Sequence, residues 1–388
     1  MTTLASLTPP HPTPRSLGRT PDSGPGAAEK SRLRLHLNPS VRVLWRSVDV
    51  VQFELGARAI VLDGIDGALI GSLTTGGHSP SPRDRSDLAA ALSELRAAGF
   101  LLPLQSGSEL ALPPLRSLPP ARLAGALAAL RARHGSRAEE ILRARADASV
   151  LIHGTGRLAV AVATLLVAGG VGHVRLQDTG EVRRHDCAPG GLREDDEGRR
   201  FAEAAGDALR RASADVDTSD PGDSLLGRQP DLVILATDAP IEEAQRESMH
   251  LHSHAHLVLQ TRADDAVIGP LVLPGLTSCL RCADLHRLDR DPAWSLLAVQ
   301  LAARPRHAAP SDIGLASFAA SVATLQTMAY LDGDEPATLG ATLELRLPDW
   351  RLRRRSWAAH ADCDCGADSR GGDTNGRGGD ELRREWAQ

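Results

Sequence analysis

The chain has 388 residues with 44 Lys and Arg against 49 Asp and Glu, a formal charge of −5. That length exceeds one small domain and fits two cores, and the charge excludes a dominant nucleic-acid-binding role. Hydrophobic residues make up 42% but aromatics only 3%, so the cores must be packed with Leu, Val and Ala.

Residues 1–31 are rich in Pro, Gly, Ser and Thr without periodicity, and composition of this kind predicts a disordered tail. No apolar signal-peptide core follows Met1, and no run approaches the ~18 apolar residues of a spanning segment. These features predict a soluble, cytoplasmic protein that binds neither membrane nor nucleic acid.

Over 33–103 the pattern turns to short β-like runs, VRVLWR and VVQFEL, then LDGIDGALIGSL. An amphipathic stretch follows, with Leu88, Leu92 and Leu95 at helical spacing and a stop at Gly99. Strands followed by helices predict a small α+β unit of winged-helix character. Residues 104–147 are dense in Ala, Leu and Arg and read as a helical connector.

At Ala148 an apolar strand, a glycine turn and a long apolar helix lead into VGHVRLQ, which is a βαβ unit. Further strands are expected at Ala214–Thr218 and Asp231–Thr237, with the charged helix GRRFAEAAGDALRRA before them. HLVLQT, AVIGPLVLP and ATLELRLP are β-like, and a helix is expected over 314–331. The alternation predicts an α/β, Rossmann-like doubly wound sheet over 148–366. Residues 367–388, rich in Gly, Asp and Arg, read as a second disordered tail.

Five cysteines, four of them in two close pairs, point to metal rather than disulfides. Cys279-Leu-Arg-Cys282 and Cys363-Asp-Cys365 can converge on one tetrahedral ion, for which zinc is the natural tenant. The single residue between Cys363 and Cys365 strains chelation and leaves His360 as an alternative ligand. Cys187 is left over, with no metal role expected. His250, His252, His254 and His256 alternate, which would align them on one face of a strand.

Gly154-Thr155-Gly156-Arg157-Leu158-Ala159 is a GxGxxA turn between strand and helix, a pattern that brings backbone N–H groups to phosphates. Asp178 follows the second strand, where an acid meets a ribose hydroxyl. Asp238 follows a later strand, where it can hold Mg²⁺ or cap a helix. The same turn also fits tight helix–strand packing, or NAD binding in an oxidoreductase.

The glycine turn, the two aspartates, GPLVLPGLTSCLRCADLH and the distal cysteine pair together resemble the ThiF family of adenylyltransferases, related to ubiquitin-activating enzymes. With the preceding α+β unit, the chain is similar to the ThiF-like cyclodehydratase partner proteins of thiazole/oxazole-modified peptide clusters, a class of bacteriocin biosynthesis. That resemblance implies a 33–103 unit that binds a precursor leader peptide by strand addition, a YcaO-type partner enzyme, and a homodimer. It also implies ATP and Mg²⁺ at Gly154, Gly156, Asp178, Arg193 and Asp238. Family members carry an Asn-Leu-x-Arg-Gln segment and a lysine to neutralise the triphosphate. Here Asp186 to Arg193 lacks that segment, Arg193 stands as the substitute, and Lys30 is the chain's only lysine. The resulting expectation is a zinc-bearing scaffold that presents a peptide, with an active adenylyltransferase as the alternative.

Overall fold

The computed structural model describes residues 34–38, 41–75, 86–104, 120–154, 156–177, 180–218, 229–237, 241, 243–302 and 311–367. The expected tails, 1–31 and 367–388, lie almost wholly outside these residues. The chain divides after Leu142 into two compact units.

In the first unit, β1 (Arg34–Leu37) leads to the meander β2 (Val43–Trp45), β3 (Val50–Phe53) and β4 (Ile60–Asp63). Then come α1 (Gly67–Thr75), α2 (Ser86–Ala97), β5 (Leu101–Leu104) and α3 (Pro120–His134), and α4 (Ala138–Asp147) crosses the boundary. The strands form two sheets, β2-β3-β4 and the antiparallel ribbon β1-β5. Val51 and Phe53 alternate inward from β3 onto Leu73, Leu92 and Leu95, the period-two and period-3.6 patterns meeting in one core. LDGIDGALIGSL spans the end of β4 and most of α1, so the glycines of that segment separate two elements. On β2, Leu44 and Trp45 are 38% and 46% exposed.

In the second unit, β6 (Ser149–His153), α5 (Gly156–Ala168), β7 (His173–Gln177), α6 (Phe201–Ala212), β8 (Leu232–Ala236), α7 (Glu243–Leu251) and β9 (His256–Thr261) alternate. They are followed by β10 (Asp265–Val272), α8 (Leu280–Arg290), α9 (Trp294–Ala302), α10 (Ile313–Leu331), β11 (Ala341–Arg346) and β12 (Leu352–Ser356). The seven strands lie in the order β12-β11-β10-β9-β8-β6-β7. β7, β6, β8 and β9 run parallel, and β10, β11 and β12 add antiparallel. This is the expected α/β, Rossmann-like sheet.

The expected strand at Ala214–Thr218 is reduced to one bridge between Asp217 and His173. Asp217 uses its backbone on Gly172 and Val174 and its carboxylate on the His173 ring, so one contact pins the sheet's edge where a ladder was expected.

Val150, Ile152, Leu232, Ile234, Leu257 and Leu259 pack on one face with α5, α6 and α10. The alternate residues Val233, Leu235 and Val258 meet Met249 of α7 and Leu280 of α8 on the other. α10 is the one described helix long and apolar enough to cross a membrane, yet its Ala316, Ala319, Ala320 and Ala323 are buried in this core.

One charged pair is sealed in the unit. Arg145, near the end of α4, forks onto both carboxylate oxygens of Asp332, which caps α10, at 2.6 Å each. Their side chains are 6% and 0% exposed, and Arg145 also donates to Gly169 O at 3.2 Å. Removing one member leaves a buried charge uncompensated. Asp332→Ala should therefore lower unfolding stability by about 3–5 kcal/mol in a urea titration, and Arg145→Met with Asp332→Leu should recover much of that loss.

Candidate metal centre and glycine turn

Cys279 is the N-cap of α8 and Cys282 lies in its first turn, a placement that turns both thiols to one side. The turn closed by the Cys363 N–H on His360 O, 3.0 Å, delivers the second pair. The Sγ atoms lie 3.8 Å apart for Cys279–Cys282 and 3.6 Å for both Cys279–Cys363 and Cys282–Cys365. All four fall within 4.8 Å of one another. A tetrahedron of thiolates at ~2.3 Å from zinc has edges near ~3.8 Å, so the donor set fits such an ion and leaves no position open.

The short Cys363–Cys365 spacing does not impede convergence, because each thiol addresses a different member of the first pair. Cys282 and Cys365 are buried. The Cys279 thiol, hydrogen-bonding to Cys282, holds the Cys282 pKa well below the ordinary thiol value, and a backbone N–H from His360 acts in the same sense. Cys279 is pushed up by the same thiol–thiol bond and by burial.

His360 replaces none of the four thiols. Its Nε2 meets Asp289 Oδ2 at 2.9 Å and its Nδ1 accepts the Asp362 N–H at 3.1 Å. His286, Asp289 and His360 form a second cluster beside the first, visible in the sequence only as a His and an Asp three positions apart on one helix. With Nδ1 accepting, the proton sits on Nε2, so the Asp289 carboxylate already occupies the direction a metal would need. Cys187 belongs to no such cluster among the described residues. Its thiol donates to Arg193 O at 3.0 Å, and burial with the nearby Asp186 and Asp196 raises its pKa.

The four histidines do not share a strand. His250 ends in α7, His252 bonds back to Ser248 O, and His254 meets Gln229. Only His256 is in a strand, buried, with its Nδ1–H on His254 O. Burial lowers its pKa to about 4. The unfolded chain protonates this ring first, so stability present above about pH 6.5 declines as pH falls toward 4, by at most about 1.4 kcal/mol per pH unit. His256→Asn should flatten the pH dependence of urea unfolding over that interval.

At the glycine turn, Gly154 has φ 145° and Gly156 φ 78°. A Cβ on Gly154 would lie 2.1 Å from Ala236 O of β8, so a close backbone approach and a left-handed conformation demand these residues. The turn sits between β7 and β8 in the sheet order, at the carboxyl end of β6. That is a topological switch point, with the first turn of α5, whose N–H groups have no partner within the helix, beside it. Asp178 and Asp238, the residues expected at the ends of β7 and β8, lie outside the described residues. Arg157 is committed to His185 O at 2.8 Å.

Arg193 lines a cavity of about 600 Å³ with Cys187, Gly190 and Arg211; neither Gly154 nor Gly156 contributes to it. The segment it belongs to is braced by its own carboxylates. Asp186 and Asp196 accept the N–H groups of Arg183 and Arg193 at 2.8 and 2.9 Å, and Arg199 adds 2.6 Å to Asp196. Burial alone would raise the Asp196 pKa, but the Arg193 N–H and the Arg199 guanidinium outweigh it.

A switch-point glycine turn in a doubly wound sheet, tied to a distal four-cysteine knuckle, defines the class. The ThiF family model matches residues 135–367, and the chain belongs to the ThiF family. No curated protein matches it. Among solved structures it is similar to E. coli MccB with succinimide, at 15% identity, TM-score 0.65, covering 86% of this chain and 99% of that one. E. coli MccB with AMPCPP and MccA gives 15%, 0.65, 87% and 100%. PaaA gives 19%, 0.54, 69% and 91%. These likenesses establish the fold.

Elemental analysis of the purified chain should find about one divalent metal ion per polypeptide, as a closed four-ligand site requires. Cys282→Ser should lose the ion and lower the melting temperature, whereas Cys187→Ser should change neither.

Proposed function

We propose that the chain is a ThiF-family scaffold, stiffened by a structural zinc ion at Cys279, Cys282, Cys363 and Cys365, that captures a precursor peptide through its first unit. It presents that peptide to a separate catalytic protein, by family resemblance a YcaO-type cyclodehydratase. The observation that carries this reading is the outer edge of β2, with which no described strand pairs. The Arg46 N–H bonds Val50 O and the Glu54 N–H bonds Arg42 O. At two-residue steps this turns the backbone groups of Arg42, Leu44 and Arg46 toward β3 and leaves those of Val43 and Trp45 facing outward. An extended peptide can pair with that edge, with the exposed Leu44 and Trp45 side chains as contacts.

A second reading, an active adenylyltransferase, is favoured by the glycine turn at the switch point and by MccB structures solved with ATP. Against it, Arg193 opens on another cavity, Arg157 is engaged, and Lys30 lies outside the domain. That leaves little positive charge to stabilise a triphosphate in reaction.

The test is anisotropy with labelled synthetic peptides copied from short open reading frames beside the gene. At least one should bind, and Val43→Pro, which removes an outward N–H, should weaken it about tenfold relative to Val43→Ala, which also trims the side chain packed against the core but keeps that N–H. The same preparation should catalyse no ATP–pyrophosphate exchange. Exchange abolished by Asp238→Ala, with no peptide bound, would establish the second reading instead.

A further inference from the structure

β12 is the last strand of the seven-stranded sheet, and all five of its residues are exposed. β11 pairs with one side of it, and no described strand pairs with the other. The Trp357 N–H bonds Gly340 O, which sets the phase of the ladder. Arg355 and Arg353, at two-residue steps, turn their backbone groups toward β11, and Leu352, Arg354 and Ser356 turn theirs to the open side.

The side chains beside this edge are mostly cationic. A groove of about 270 Å³ is lined by five arginines, Arg346, Arg351 and Arg353 to Arg355, against two carboxylates, Asp265 and Glu344. By register, Arg353 lies opposite Glu344 and Arg355 opposite Thr342. Arg355 is 3.6 Å from Glu344, while Asp349 pairs with Arg353 and lies 3.5 Å from Arg351. These pairs are exposed and therefore individually weak. Arg354 donates to Ala337 O and Ser356 Oγ rather than to an acid. The patch is thus cationic on a chain whose formal charge is −5.

We propose that the β12 edge is a docking site for an acidic, extended segment of a partner protein, which adds to the sheet as an eighth strand. The outward N–H and C=O groups of Leu352, Arg354 and Ser356 supply the backbone ladder. Carboxylates at alternate positions of the incoming strand lie across from Arg353 and Arg355, where opposite charges on paired strands attract. Charge on an edge strand also discourages self-association, but that purpose needs neither a groove nor so one-sided a lining. This site is independent of the first unit and of the peptide it captures.

The probe is a fluorescein-labelled alternating Glu-Thr peptide of about ten residues, long enough to span the strand, titrated with the full chain. Oligothymidine of equal length and an alternating Lys-Thr peptide serve as comparisons. The Glu-Thr peptide should bind saturably and more tightly than either. Arg353→Glu with Arg355→Glu should weaken it by about tenfold or more. Arg354→Pro, which removes an outward N–H, should do likewise, while Arg354→Ala should have a much smaller effect. Melting temperatures confirm that each variant is folded. Failure of the Glu-Thr peptide to bind, tighter binding of oligothymidine, or equal binding by the Pro and Ala variants would each overturn the proposal.

Discussion

The second unit depends on the convergence of Cys279 and Cys282 with Cys363 and Cys365, residues more than eighty positions apart. The first pair follows β10 directly and the second lies just beyond β12, so the knuckle closes a loop that contains α8, α9, α10, β11 and β12. An ion there would fix where the antiparallel half of the sheet begins and ends. Because its binding free energy is also folding free energy, that half need not be stabilised by its core alone. Ser278 Oγ on Trp357 O at 2.7 Å ties the same two segments beside the thiols. Across the unit, Arg145 and Asp332 perform a similar task between α4 and α10.

Two ends of one sheet are therefore put to different uses. The carboxyl ends of the parallel strands carry the glycine turn, where a nucleotide would lie. Cys279 follows β10, which runs antiparallel to β9 and pairs its Val272 with His256 at the start of that strand. The knuckle accordingly lies toward the amino ends, away from the glycine turn. A metal held by those four thiols would have no open position for a substrate, whereas the switch-point crevice of such a fold lies at the opposite edge. There Gly154 is explained by the approach of Ala236 O and Gly156 by its left-handed backbone, and Arg157 is held by His185 O.

Much of this was legible in the sequence because it rests on local rules. The βαβ pattern at Ala148 gave β6, α5 and β7, and the cysteine pairs announced their common site before any contact was visible. The strand at Ala214–Thr218 contracted to one bridge because its Asp217 is held by side-chain and backbone contacts that no periodicity encodes. The histidine row did not form a shared strand face because α7 continues through Leu251, and helix length there is decided by packing of Met249. Arg145–Asp332 and His360–Asp289 join residues far apart in sequence, and one sequence alone gives no signal for such pairs. Asp178 and Asp238, expected at the nucleotide edge, lie outside the described residues.

The central proposal is that this ThiF-family chain holds and presents a peptide rather than activating one with a nucleotide. Titration calorimetry of the purified full chain with Mg-ATP addresses it directly. The account predicts no saturable heat of binding, whereas saturation near one nucleotide per chain would contradict it and return the glycine turn to catalysis.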